Sequence, residues 1–589
     1  MKSVNYHIDI SDVTAHLVTV TLSFTPLSDI HELTLPAWIP GSYMIRDFAR
    51  NIVSIKATDA NGSLLLNQQD KQRWHVHCGK QKVHLTYQVY AYDLSVRAAY
   101  IDDEVAVLNP ACLCLQVNGL HDLPQQIMLK KPADKRCKDW RVATGLTRIK
   151  QTEALAFGHY QADDYQQLID SPILAGRFEL REFAINDVPH YLIVTGDNLT
   201  DLDRFSGDLA RICQTQVKVF SALPDDLDSY WFLLWVTEDG YGGLEHLNST
   251  LLLCSRNDLP VKGVDAINDS YQQLLALCSH EYFHTWWVKR LKPAVFHQYQ
   301  LDSEQYTNQL WLYEGFTSYF DDLALVRAGL IDKACYIKTL EKTISRVTRN
   351  PSNTAQSLTD SSFNAWTKFY KQDENAPNAV VSYYAKGALL ALCLEAELTQ
   401  AGSSLSALAQ QLWQQCRTTG TDDDAVNMLL TKLGYADLAS SLTSWLYDAA
   451  ELPLTSLLPK LGLKLEFRPM QHAEDLGGET DNKTAIFIGA LTKNANGLMQ
   501  ISHVYHGSSA HHAGLMVGDQ LLAADGKKIT SSNWPHLLQR FTQGQDIRLH
   551  FYRKDRLLEA DLCLKPTKQQ VAQLTVCDDA KISAWLAPV

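Results

Sequence analysis

At 589 residues the chain is long enough for about three or four domains, and its 46% hydrophobic and 20% charged residues exclude a disordered or fibrous protein. A net charge of −13 argues against nucleic acid or an acidic membrane as primary partner, because phosphate binding needs basic patches. No apolar run reaches the length of a membrane span.

Residues 1–10 alternate in polarity, carry Asp9, and are followed by no apolar signal-peptide core, which predicts a cytoplasmic protein. The twelve cysteines are scattered, and Cys254, Cys278 and Cys393 sit in apolar surroundings that suit reduced, buried thiols. Short alternating runs at 19–24, 52–58 and 83–92 are bounded by turn signals such as Asn61-Gly62. They predict an N-terminal β-sandwich over residues 1–168. Inside it, Arg46 and Asp47 are expected to form a structural ion pair rather than to touch substrate, and His75-Val76-His77-Cys78 and Cys112-Leu113-Cys114 read as strand packing.

A second segment is expected over 169–460, in the α+β order of strands first, then helices. Residues 230–236 form an apolar run that predicts a buried strand. Tyr241-Gly242-Gly243-Leu244-Glu245-His246 follows a turn. Gly242 and Gly243 would let a substrate backbone approach closely, and Glu245 would pair with a free α-amino group. A plain hairpin turn with an exposed glutamate fits that segment equally well.

His280-Glu281-Tyr282-Phe283-His284 fits H-E-x-x-H behind an apolar run at 271–277. On a helix the two histidines stack on one face and can converge on one cation. Glu281 beside them is placed as general base. Zinc suits imidazole ligands and hydrolytic chemistry, so one Zn2+ is expected. A catalytic site needs a third ligand, and Trp311-Leu312-Tyr313-Glu314-Gly315-Phe316 puts a lone carboxylate among apolar residues. Glu314 there carries a desolvation cost unless it is paired or metal-bound. Residues 350–377 read as a polar, irregular loop or flap. Ser382-Tyr383-Tyr384-Ala385-Lys386-Gly387 opens an apolar helix, and the Tyr384 hydroxyl is a candidate oxyanion donor. Helical hairpins at 388–398 and 404–416 complete a helical subdomain.

These segments resemble the gluzincin metallopeptidases. Trp311–Phe316 looks like their W-L-x-E-G-F ligand segment, Gly242-Gly243-Leu244-Glu245-His246 like the G-x-M-E-N exopeptidase motif, and Tyr384-Ala385-Lys386-Gly387 like Y-E-K-G. His246 in place of Asn and Ala385 in place of Glu depart from the larger zinc aminopeptidases. So does a longer gap before Glu314. With Pro40-Gly41-Ser42-Tyr43-Met44-Ile45-Arg46-Asp47-Phe48-Ala49-Arg50 they resemble instead the glycyl aminopeptidases, gluzincins with a C-terminal PDZ domain. Residues 465–575 fit that last part: Ala513-Gly514-Leu515 and Gly518-Asp519 match a PDZ pattern, and 485–489 would form its carboxylate-binding loop.

The resemblance implies a multidomain α+β fold of N-terminal β-sandwich, thermolysin-like catalytic domain with a helical subdomain, and PDZ domain. It also implies metal ligands His280, His284 and Glu314, base Glu281, oxyanion donor Tyr384, amine anchor Glu245, and peptides with small N-terminal residues as substrates. A PDZ-linked zinc endopeptidase, a non-catalytic peptide-binding protein and, more distantly, a gluzincin epoxide hydrolase fit the same residues. The PDZ segment leaves open whether it takes a peptide C-terminus or only packs.

Overall fold

The computed structural model describes residues 3–471, 474–478, 486–566 and 569–588. The chain is multidomain α+β and divides into two compact units. The first comprises Met1–Gln305 with Trp413–Thr421, the second Tyr306–Leu412 with Asp422–Val589.

The first unit begins with a β-rich domain. Val4–Asp12 pairs parallel with Gln125–Lys130 and antiparallel with Leu17–Phe24 in an eight-stranded sheet. Two four-stranded sheets share its apolar core. Alternation explains these strands: in Val83–Tyr90, Val83, Leu85, Tyr87 and Val89 are buried and the residues between them are not. Ile173–Gly176, beyond residue 168, pairs with Val105–Leu108 and Arg141–Thr144 and so continues this region.

Next comes a five-stranded sheet in the order Phe178–Ile185, Val188–Thr195, Tyr230–Thr237, Ser249–Ser255, Gly242–Glu245. Tyr230–Thr237 is central and parallel to both neighbours. Parallel strands covered on both faces need a continuous apolar run, which Phe232-Leu233-Leu234-Trp235-Val236 supplies. Gly242–Glu245 is an edge strand antiparallel to Ser249–Ser255, not an exposed hairpin turn.

Two local expectations change. Pro110–Leu113 is a one-turn helix with Pro110 in its first turn, so Cys112 and Cys114 are buried but not in a strand. Asp47 pairs with Lys71 at 2.5 Å, while Arg46 Nη2 donates to Ser42 Oγ at 2.8 Å. Arg46 and Asp47 are thus not shown as an ion pair with each other. None of the twelve cysteines is in a disulfide.

The second unit is helical up to about residue 461. Leu310–Arg327 and Ala385–Gln400 cross at two glycines. A Cβ on Gly315 would lie 2.6 Å from Gly387 Cα, and one on Gly387 would lie 2.9 Å from Gly315 Cα. Only glycine at both positions permits that approach. Residues 350–377 are less irregular than their polarity suggests. They form the short helices Pro351–Thr354, Leu358–Phe363 and Ala376–Ala379, with a π-turn at Ala365–Phe369.

Leu463–Pro469 and Gln569–Val576 form an antiparallel ribbon that brackets a C-terminal module. Ribbon backbone amides of Ala572 and Leu574 donate to Ser345 Oγ and Glu341 Oε1 on the Lys333–Thr348 helix. The module has strands Ala490–Ala495, Leu498–Val504, Gln520–Ala524, Asp546–Arg553 and Arg556–Cys563 around its own core of Ile501, Leu521, Leu549 and Leu562. Buried Asp519, after Gly518 at φ +92°, takes both Arg553 Nε and Nη2 at 2.8 Å. Of the expected carboxylate loop, Ala485 lies outside the described residues, and Ile486 and Ile488 pack into the module's core. No described helix is long and apolar enough to cross a membrane.

Candidate active site

In the first unit, the metal motif ends the helix Asp269–Phe283. Asn268 starts that helix by accepting the Tyr271 amide at 2.8 Å, an ordinary N-cap. The two intervening residues of the motif explain how it is seated. Tyr282 and Phe283 are fully buried, and the Tyr282 hydroxyl meets His190 Nε2 at 2.9 Å. Burial pushes the His190 imidazole down to about 4, so it is neutral there. With these faces in the core, His280 and His284 share another face, their ring centroids 4.8 Å apart.

His284 Nδ1 lies 3.0 Å from the Trp287 carbonyl. A carbonyl only accepts, so Nδ1 carries the proton and Nε2 keeps its lone pair for a metal.

Ligand atoms of Glu245, Glu281 and His284 all lie within 4.8 Å of one another. Both carboxylates are 5% exposed. Glu245 Oε1 has no hydrogen-bond partner among the described residues. Two close, buried carboxylates repel and are poorly solvated, so this cluster suits a positive charge.

The bare Cα of Gly243 makes room for Glu281 itself. A Cβ there would lie 2.6 Å from Glu281 Cδ and 2.8 Å from Cγ. Gly242 faces Arg97, whose Nη2 donates to the Gly243 carbonyl at 3.3 Å. Gly243→Ala should therefore lower kcat by about 10²-fold through displacement of the Glu281 carboxylate. Steady-state kinetics test this; an unchanged kcat would show that Glu281 reaches its working position without that space.

His246, next to Glu245, is fully buried and turns its Nδ1 to Asp170 Oδ1 at 3.1 Å. Lys289 Nζ donates to the same oxygen at 2.7 Å, and the Leu247 amide donates to Oδ2. Burial alone would raise the Asp170 carboxyl, but Lys289 and His246 outweigh it and hold it down at about 2. Asp170 and Lys289 carry no local motif, so only the fold reveals them. An acid depressed below its ordinary value stabilises the fold above about pH 4, and loses that contribution as pH falls through about 2. Asp170→Asn should thus destabilise the protein by roughly 3 kcal/mol near neutrality, by breaking a buried pair. Thermal melts should show the gap to wild type closing between about pH 4 and 2; a gap constant with pH would refute the pairing.

A cavity of about 900 Å³ opens beside this network, lined by Asp170, Lys289, Lys292 and Tyr299 among others. Neither Glu245 nor Glu281 lines it.

In the second unit, Glu314 is 2% exposed in the helix Leu310–Arg327. Tyr384 caps the N-terminus of Ala385–Gln400. Burial first, then the nearby Glu314 carboxylate and the Tyr370 and Tyr383 phenols, hold the Tyr384 hydroxyl well above its usual range. It therefore stays protonated and able to donate a hydrogen bond.

Residues 5–177 match the peptidase M61 N-terminal domain, and residues 273–390 match the M61 glycyl aminopeptidase. No curated protein matches the chain. The crystal structure of an aminopeptidase N family protein from Idiomarina loihiensis is similar at 41% identity and a TM-score of 0.96, over 99% of this chain and 100% of that one. That of an M1 zinc metallopeptidase from Deinococcus radiodurans is similar at 13% identity and a TM-score of 0.49, over 77% of this chain and 95% of that one.

An H-E-x-x-H helix end beside two buried carboxylates, in a chain so matched, defines a metallo-aminopeptidase. The chain belongs to the family of the Idiomarina loihiensis protein, the aminopeptidase N family, and two of its segments match peptidase family M61.

Proposed function

We propose that this protein is a zinc aminopeptidase that removes small N-terminal residues, glycine or alanine, from peptides. One Zn2+ would be held by His280, His284 and Glu314. The donor set of two imidazoles and a carboxylate suits zinc, the His284 tautomer leaves Nε2 available, and Glu314 is a buried carboxylate with a need for a cation. The M61 glycyl aminopeptidase match spans all three residues, and its description supports the small-residue preference. When bound, the ion supplies Lewis acidity, which lowers the pKa of a ligand water towards ~7.

The chain's own residues do the rest. Glu281 takes a proton from the attacking water and returns it to the leaving amine. Tyr384 donates to the oxyanion that develops on the scissile carbonyl. Glu245 accepts from the substrate's α-ammonium, so that only the first peptide bond is presented, and Gly243 on the same strand leaves room for Glu281 beside it. The observation that carries this reading is Glu245 Oε1, buried, without a hydrogen-bond partner among the described residues, and grouped with Glu281 and His284.

We further read the protein as cytoplasmic, the catalytic part as thermolysin-like, and the module within residues 465–575 as a PDZ domain. Its Gly518-Asp519 turn and its antiparallel strands support the PDZ reading. Whether it takes a peptide C-terminus is tested by titrating peptides with free and amidated C-termini.

The deciding experiment compares glycyl and alanyl anilides with their N-acetylated counterparts, with and without chelator. Chelator-sensitive cleavage of the free-amine substrates alone is expected. Cleavage of the blocked substrates would instead favour an endopeptidase, and cleavage of neither a peptide-binding protein.

A further inference from the structure

Ile39-Pro40-Gly41-Ser42 is a tight turn, closed by the Ser42 amide donating to the Ile39 carbonyl at 3.0 Å. Proline second and a positive-φ glycine third, at +92°, are the residues such a turn demands. The turn is held on both sides. Trp38 is fully buried and its indole N–H donates to the carbonyls of Gln300 and Ser303 at 2.9 and 3.0 Å. Tyr43 is buried and stacks on Phe296, and Ala37 N–H donates to the Leu301 carbonyl. What the turn presents to Glu245 is a bare Cα. A Cβ on Gly41 would lie 2.5 and 2.6 Å from the two carboxylate oxygens of Glu245, and 2.7 Å from Cδ. Tyr299, which packs edge-on against Trp38, is also close to Glu245: after burial and Asp170, that carboxylate helps to raise its phenol.

We infer that Gly41, from the N-terminal β-rich domain, is a positioning residue that sets where the Glu245 carboxylate stands. This rests on the reading of Glu245 as the amine anchor. The edge strand delivers Glu245 from one side, and the anchored turn stops it from the other. Glu245 therefore cannot swing towards the turn, and its unpartnered oxygen stays where an α-ammonium would meet it. Amine recognition then depends on a domain that supplies none of the proposed metal ligands.

The test uses the full chain and four variants: Gly41→Ala, Gly41→Asn, Glu245→Asp, and Gly41→Ala with Glu245→Asp. Kinetics on a glycyl anilide and thermal melts are read for each. Ala and Asn bring the same Cβ, but Asn tolerates positive φ better, so strain and steric displacement separate. Both single Gly41 variants should raise KM by about tenfold or more while kcat changes far less, because the anchor and not the base is moved. Should the alanine variant fail to fold, the asparagine variant carries the test alone. Shortening Glu245 by one methylene makes room for the new methyl. Glu245→Asp should therefore cost several-fold less in the Gly41→Ala background than in wild type, a coupling expected only of residues that touch. Strictly multiplicative effects, or an asparagine variant with wild-type KM, would overturn the role of Gly41. Wild-type kinetics for Glu245→Asp alone would instead overturn Glu245 as the anchor.

Discussion

Glu281→Gln is expected to lower kcat by roughly 10³-fold or more and to leave metal content and melting temperature near wild type. The substitution keeps shape and hydrogen-bonding capacity but removes the ability to take a proton. Its surroundings make this a clean test. The side chain is buried, rests on the bare Cα of Gly243, and stands within 4.8 Å of a ligand atom of His284. The isosteric amide fits the same space, so loss of turnover cannot be charged to repacking. A purely structural carboxylate would behave the other way, changing the melt and sparing kcat. Residual turnover within about tenfold of wild type would sink the assignment, since a general base contributes 10²- to 10⁴-fold. Atomic absorption or a zinc-dye assay on the purified variant shows whether the metal is retained.

How legible these features were depends on the distance over which each is encoded. The H-E-x-x-H helix is local. Four-residue spacing stacks the histidines, and two large apolar residues between them choose the buried face. Glu314 is equally local, a glutamate flanked by aromatic residues in one helix. The Gly242-Gly243 pair was legible as a place of close approach, but not as to what approaches, because Glu281 arrives from a different element. Gly41, Asp170 and Lys289 act across the fold, and no window of sequence contains both partners. Residues 350–377 show a different failure. Their polarity reads as irregular, yet Pro351 and Pro377 each lie in the first turn of a short helix, where a missing N–H loses nothing. Composition alone does not separate a proline that stops a helix from one that starts it.

Glu245→Ala should reduce kcat/KM on glycyl and alanyl anilides by about 10²- to 10³-fold, the scale of truncating one partner of a buried charged pair. The effect should be selective, with no loss on an N-acetylated substrate beyond its already low rate. The reason is electrostatic. Glu245 Oε1 is desolvated without a hydrogen-bond donor among the described residues, beside a second carboxylate. A carboxylate held this way is costly until a cation arrives, and an α-ammonium returns that cost at the moment of binding. An acetylated amine has no charge to offer and gains nothing from Glu245. Removal of the side chain should therefore erase the preference for a free amino terminus rather than activity in general. The variant should also be no less stable than wild type, because a mutual repulsion with Glu281 has been relieved. Equal losses on free and blocked substrates would mean that Glu245 supports the site without touching the amine.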